Sequence, residues 1–512
     1  MFPFRGAFFS LNMDSLQGLA YGFGVAFSGP NLLACFFGVL VGTVVGVLPG
    51  IGPIGAMALL IPSTFALGPT TALIMLAGIY YGSMYGGSTT TILVNVPGEA
   101  ASVVTAIDGY QMARKGRAGA ALAVSAVGSF VAGTLGIVAL MFFAPPLAEV
   151  ALKFGPPEYF ALTLVGLIFL SQLGGGSAIK SFLMVGFGLL LGTVGMEPIS
   201  GLPRFTFGQL QLGQGVELVP VAMGLYGIGE VLMIAERITG IPEMIKVKFR
   251  ELFPTVAEWK RAFPPMLRGG GVGFFIGLIP GPAAILSTFA SYALEKKISK
   301  HPQEFGKGAI EGVAGPESAN NSATAGAMVP LLALGVPFAP ATAMLLGALI
   351  IHGVQPGPLL MSQQPEIFWG VVASMYIGNL MLLILNLPLV GVFASILRLP
   401  QHLLMGLILL LCLVGTYSVN NSLLDLYILF GMGGVGYILR KLKFDMAPLI
   451  LALVLGPMLE KTLRQSLFMS RGDVWAMISR PLTAALLLTG ITVIVLPHLL
   501  RLMKCIHKPS KG

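Results

Sequence analysis

The chain has 512 residues, of which 55% are hydrophobic and only 10% charged, and its mean hydropathy is +0.87. Soluble domains carry roughly a quarter charged residues, so a soluble globular protein is excluded and an integral membrane protein is implied. The net charge of +9 is spread over connecting loops and shows no basic face interleaved with aromatics; it reports membrane topology and excludes a nucleic-acid partner.

The apolar runs are continuous rather than alternating, which excludes an outer-membrane barrel. They predict an all-α polytopic membrane protein with about a dozen transmembrane segments. The 68 glycines and 35 prolines suit broken helices, because small residues let membrane helices approach closely and neighbours re-satisfy interrupted backbone. Cys35, Cys412 and Cys505 have neither disulfide nor metal spacing.

Residues 1–28, with Arg5 and Asp14 flanking a short apolar segment, read as a retained short or interfacial helix. Beyond it the chain repeats itself. Gly46–Gly50 matches Gly277–Gly281, Ser88–Thr90 matches Ser322–Thr324, Val96-Pro97 matches Val336-Pro337, and Asp108–Gln111 matches His352–Gln355. The offset between partners drifts slowly upward, as in a duplicated half with small insertions. This divides the chain into a first transmembrane repeat (29–240), a cytoplasmic linker (241–261), a second repeat (262–470), and a C-terminal helix with a basic cytoplasmic tail (471–512).

Lysine and arginine set the relative orientation, because they are retained on the cytoplasmic side. The loop with Arg114, Lys115 and Arg117 has a counterpart at 353–366 with no basic residue, whereas Lys296, Lys297, Lys300 and Lys307 fall where the first half offers only the uncharged Pro62–Thr70. Basic loops alternate between the halves, so the repeats are inverted. Residues 269–294 then enter and leave on one side and are too short for two spans, which predicts a re-entrant hairpin with Leu278–Pro282 at its tip and a mirror-image hairpin at Leu48–Pro53. Glycine-rich tips and half-helix N-termini at the midplane make an anion site.

Polar side chains concentrate in two places, Ser88–Asn95 and Gly315–Thr324 (GPESANNSAT). Such groups at membrane depth mark a site, because each unpaired one costs several kcal/mol. Expected substrate-binding residues are Gly50, Gly52, Ser88, Thr89, Gly281, Asn320, Asn321 and Ser322, supplying hydrogen-bond donors and close backbone approach. Expected coupling-ion residues are Thr90, Asn95, Glu99, Glu317 and Thr324, supplying hard oxygens, with Glu317 either a ligand or a proton carrier. Tyr80, Tyr81 and Tyr85 fall beside the first cluster, either in the pocket or in core packing. Asp108 and Arg204 read as solvated, and His352 as an external loop histidine.

The stretches GVLPGIGP (Gly46–Pro53), YGSMYGGSTTTILVNVPGEAA (Tyr81–Ala101), FGPPEYF (Phe154–Phe160), PRFTFG (Pro203–Gly208), GPESANN (Gly315–Asn321) and HGVQPGPL (His352–Leu359) cover nearly the whole chain in order. On them the sequence resembles the large membrane subunit of the tripartite tricarboxylate transporter family. It departs from the usual pattern at Phe338-Ala339 and at Ser322.

The resemblance implies a multi-pass permease of the cell inner membrane working with a small four-helix membrane subunit and a periplasmic solute-binding protein. It further implies import of a small di- or tricarboxylate with sodium ions or protons, with no other cofactor and no metal beyond sodium. A single-component organic-anion carrier or channel is the alternative. An intramembrane enzyme is disfavoured, since no H-E-x-x-H and no nucleophile-and-base pairing is present.

Overall fold

The computed structural model describes residues 4–48, 50–173, 177–197, 200–236, 245, 252–396 and 399–506. Residues 241–244 and 246–251 of the expected linker, and the basic tail beyond 506, lie outside the described residues. The described residues are almost entirely helical, with a single two-stranded ribbon among them, β1 (Gly195–Met196) and β2 (Pro203–Arg204), paired antiparallel. Among the described residues six helices are long and apolar enough to cross a membrane by length and composition alone, and four shorter apolar helices accompany them.

Two compact units divide these elements. The first, residues 1–152, 219–279 and 283–438, contains pieces of both sequence halves. Its first-half helices are α1 (Phe4–Ala26), α2 (Gly29–Val47), α3 (Gly52–Leu60), α4 (Pro69–Val94), α5 (Val103–Met112) and α6 (Ala118–Ala151). The second unit, residues 153–218, 280–282 and 439–512, contains α7 (Pro156–Leu173) and α8 (Ala178–Gly192). The first unit resumes with α9 (Leu218–Ala222), which runs through a π turn into α10 (Gly229–Glu236).

Next come α11 (Val256–Gly277), α12 (Ala283–Ile298), α13 (Glu311–Leu334), α14 (Pro340–Ile351), α15 (Leu360–Gln363), α16 (Pro365–Asn386), α17 (Val390–Ile396), α18 (Gln401–Asn420) and α19 (Leu423–Lys441). The second unit is completed by α20 (Ala447–Met469), α21 (Val474–Ile478) and α22 (Pro481–Ile506). There α8 packs on α20 with Gly188 against the Leu449 carbonyl, and Glu158 of α7 pairs with Arg480 at 3.0 Å. Arg204, expected to be solvated, forms a two-pronged ion pair with Glu460 at 2.7 and 3.0 Å, because β2 lays it along α20.

Residues 4–26 form one continuous helix rather than a short one, packed on α16 with Gly18 and Gly22 against Trp369. Gly22 lets the two backbones approach and Gly18 makes room for the Trp369 ring, which a polar-flanked apolar segment alone does not reveal.

The same device builds both halves of the first unit. Gly38, Gly42 and Gly46 of α2 face the carbonyls of Met75, Ile79 and Ser83 of α4, and Gly269, Gly273 and Gly277 of α11 face those of Gly315, Ala319 and Ala323 of α13. Each is a four-residue-spaced stripe on one helix face, running parallel to its partner. The long partners end alike, α4 at Asn95 (φ 60°) and α13 at Gly335 (φ 71°), both left-handed caps.

These contacts fix the register between α4 and α13: Met75 corresponds to Gly315, Tyr81 to Asn321, and Asn95 to Gly335. The expected pairing of Ser88–Thr90 with Ser322–Thr324 is therefore six residues out of register. Shared Ser and Thr content had mimicked homology, whereas backbone contacts cannot slip without losing the glycine fit.

The halves are inverted in space. Ser88 of α4 meets Glu317 of α13, while Tyr81 shares a cavity with Thr324, so these equivalent helices run antiparallel. The next helices are exchanged between halves: α6 packs along α13 and α16 along α4.

The re-entrant hairpins follow from the stripes. α11 stops at Gly277, beside Ala323 midway along α13, and α12 returns with Ser287 hydrogen-bonded to the Ala319 carbonyl at 3.3 Å. Its feet are joined by Arg268, which donates to both oxygens of the buried Glu295 at 2.9 and 2.6 Å. α2 likewise stops beside Ser83, partway along α4.

Candidate functional site

α13 is buried along its whole length although it carries Glu317, Ser318, Asn320, Asn321, Ser322 and Thr324. A helix buried all round must satisfy those groups from its neighbours. Glu317 is 1% exposed and accepts hydrogen bonds from the hydroxyls of Ser88 in α4 and Thr105 in α5. Asn320 donates to Glu99 Oε1 at 3.1 Å, and the other Glu99 oxygen accepts the Ala101 amide at 3.0 Å. Asn321 donates to Ser129 Oγ of α6 at 2.7 Å and to the Glu317 carbonyl at 3.2 Å.

Four elements thus converge on one face of α13, and sites 229, 221 and 192 residues apart in sequence are joined by side-chain hydrogen bonds. Among the described residues neither Glu99 nor Glu317 forms an ion pair. Two carboxylates with only neutral donors around them favour a cation or a proton.

The remaining expected residues are distributed unequally. Thr90 donates to the Val47 carbonyl at 2.7 Å, tying α4 to the end of α2, and Thr89 is buried beside it. Thr324 donates to the Asn321 carbonyl at 2.6 Å. Ser322 is fully buried, and its hydroxyl has no partner. Asn95 is not brought into the cluster, because it is exposed and ends α4 in the left-handed conformation.

Gly50 (φ 101°) and Gly52 (φ 62°) bracket the turn into α3, and Gly281 (φ 140°) turns the chain between α11 and α12. At Gly50 the place of a side chain is taken by the carboxylate of Glu230 in α10. Gly52 has open space around it.

Several residues escaped the sequence reading. Thr105 and Ser129 contribute to the network, and Glu230, which fills the space at the Gly50 turn, carried a usable signal as an acid inside an apolar run. Asn379, a buried amide in the apolar α16 that also holds Asn386, carried the same signal. It accepts from Tyr85 at 2.5 Å and donates to Phe130 and Thr134 of α6. Tyr81 donates to the Ser374 carbonyl at 3.4 Å.

Asp108, read as solvated, is instead fully buried. It accepts the amides of Gly308 and Ala309 at 2.7 and 2.9 Å and the Tyr292 hydroxyl at 2.9 Å. Inversion brings the end of α5 against the loop before α13, where free amides need an acceptor. His352, at the equivalent end of α14, meets Thr64 before α4 at 3.0 Å.

Four orphaned polar atoms remain on α13: Ser318 Oγ, Asn320 Oδ1, Asn321 Oδ1 and Ser322 Oγ. Buried polar atoms without partners are rare in native proteins, and a cluster of them calls for a ligand.

Inverted helical repeats, paired re-entrant hairpins and a buried polar cluster where they meet define a polytopic membrane protein of transporter architecture. Residues 32–451 match the tripartite tricarboxylate transporter TctA family, and the chain belongs to that family. It is 48% identical over 488 residues to an Agrobacterium vitis protein described as "Uncharacterized 52.8 kDa protein in TAR-I ttuC' 3'region", covering 94% of this chain and 96% of that one. A second Agrobacterium vitis protein, described as "Uncharacterized protein in TAR-II ttuC' 3'region", is 46% identical over 224 residues, covering 44% of this chain and 93% of its own. No solved structure matches.

Proposed function

We propose that this protein is the permease subunit of a binding-protein-dependent secondary carrier of the inner membrane, importing a small di- or tricarboxylate with sodium ions or protons rather than catalysing a reaction. The observation that carries this reading is the network in which Glu317 and Glu99 are held by Ser88, Thr105 and Asn320 from opposite halves, beside four unpaired polar atoms. A site shared by two inverted halves changes shape when one half moves against the other, which is what alternating access requires.

Within it, the Ser88 hydroxyl proton and one Asn320 amide proton are committed to the protein's own carboxylates. The valences left for cargo are the Ser318 and Ser322 hydroxyls, which can donate to a carboxylate, and the Asn320 and Asn321 carbonyl oxygens, which suit a cation. Glu99 and Glu317 serve as ion ligands or proton carriers, with Thr89 and Thr90 beside them. A small four-helix membrane subunit and a periplasmic solute-binding protein complete the system, the latter delivering the substrate.

Reconstitution of the chain with both partners in liposomes tests this, with uptake of labelled di- and tricarboxylates as the readout. The expected result is accumulation that collapses when the sodium and proton gradients are dissipated. Equilibration without accumulation would mean a channel, and chemical alteration of the substrate would mean an enzyme.

A further inference from the structure

Where α4, α6, α13 and α16 cross, a small cavity is lined by Tyr81, Asn321, Thr324, Asn379, Ile137 and Met375 among others, with room for about one water-sized body. Tyr81 and Asn321 are equivalent residues of the two halves, so the cavity lies on the inversion axis itself.

Counting protons and lone pairs shows what fits. The Asn321 amide gives both protons away, to Ser129 Oγ and the Glu317 carbonyl. Asn379 does the same, to the Phe130 carbonyl at 2.9 Å and Thr134 Oγ1 at 3.0 Å. The hydroxyl protons of Tyr81 and Thr324 go to the carbonyls of Ser374 and Asn321. Every polar proton on the wall is therefore spent; the polar part of the wall offers oxygen lone pairs, of which one on Asn379 Oδ1 is taken by the Tyr85 hydroxyl, and Ile137, Ala325 and Met375 supply the apolar part. Asn321 Oδ1, on a residue 2% exposed, has no partner at all.

An anion would meet lone pairs with no donor, which excludes a carboxylate. The wall carries no carboxylate either, so a divalent ion would lack the charge it needs. Neutral hard oxygens in a water-sized space suit a monovalent cation of sodium's size, with Glu317 one helical turn from Asn321 to offset its charge.

We propose that this cavity is a sodium site built from Asn321 Oδ1, Thr324 Oγ1, Asn379 Oδ1 and the Tyr81 hydroxyl oxygen. The proposal deepens the carrier reading and rests on it. It places Asn321 with the ion rather than with the carboxylate, and the coupling ion on the axis about which the halves exchange.

The test is thermal unfolding of the purified full chain, titrated with sodium chloride against potassium and choline chloride at constant ionic strength. A sodium-specific rise in melting temperature is expected, abolished by Thr324→Val and kept by Thr324→Ser, which retains the oxygen. In liposomes Thr324→Val should raise the sodium concentration for half-maximal uptake about tenfold or more, the loss of one ligand.

Absence of any sodium-specific shift in the unsubstituted chain overturns the site as a cavity for water only. A shift that survives Thr324→Val overturns it by placing the ion elsewhere. Neither outcome touches the carrier reading, which falls only if carboxylate is not accumulated.

Discussion

Glu99 Oε1 lies 3.1 Å from the amide nitrogen of Asn320, a bond that joins the loop after α4 in one half to the middle of α13 in the other. With the bond from Ser88 to Glu317, it makes the cluster depend on both halves holding one arrangement.

Glu317→Gln keeps the shape of the side chain and removes its charge. Gradient-driven uptake is expected to fall at least about tenfold, equivalent to about 1.4 kcal/mol of coupling. Substrate exchange across equal gradients should persist if Glu317 carries the proton. Flux measured in both modes on one liposome preparation checks this, and unchanged driven uptake would remove Glu317 from the coupling machinery.

Asp108→Ala strands the amides of Gly308 and Ala309 and the hydroxyl of Tyr292. Each buried unsatisfied donor costs about 1–3 kcal/mol. A clear loss of thermal stability is expected, with Tyr292→Phe losing much less because it removes one donor together with its need. Equal melting temperatures for Asp108→Ala and the unsubstituted chain would show that the clamp contributes nothing.

Gly273→Val drives a side chain into the Ala319 carbonyl of α13. Overpacking of this kind costs about 1–3 kcal/mol or more, and Gly42→Val at the equivalent contact with Ile79 should behave alike. Gly271, with nothing near its Cβ position, is the control and should tolerate valine. Comparable expression of all three variants would deny the close approach.

Lys115 reaches the Lys307 carbonyl at 2.5 Å, which puts the two basic loops on one side. Single cysteines at 115 and 296 should label from the cytoplasm and one at 363 from outside. Equal external labelling of 296 and 363 would contradict the inversion.

Arg261 bridges Glu304 at 2.6 Å and Glu311 at 2.9 Å, and its guanidinium holds the Glu304 carboxyl below the usual value of 4.5. A depressed folded value means that the stabilisation is present above about pH 4.5 and is lost as pH falls through the lowered value. The melting-temperature gap between the unsubstituted chain and Arg261→Gln should therefore be widest near neutrality and narrow below pH 4. A gap constant with pH would show that the charge on Glu304 is irrelevant.

Hydropathy, the scarcity of charge, the recurring short motifs and the distribution of lysine and arginine are read along the chain, and the sequence by itself determined from them the membrane class, the helices, the duplication and its inversion, and the polar stretch Gly315–Thr324. Tertiary structure alone decided which residue meets which. The Ser88 and Ser322 triplets look equivalent in composition, yet the glycine stripes pair Tyr81 with Asn321, because helix register is set by backbone contact and not by side-chain type. Asp108 looks solvated beside Arg114 and Lys115, yet inversion delivers the free amides of Gly308 and Ala309 to it from 200 and 201 residues away. Which protons are spent and which lone pairs remain depends on partners that no local pattern encodes, so the division between anion donors and cation acceptors appears only when the two halves are brought together.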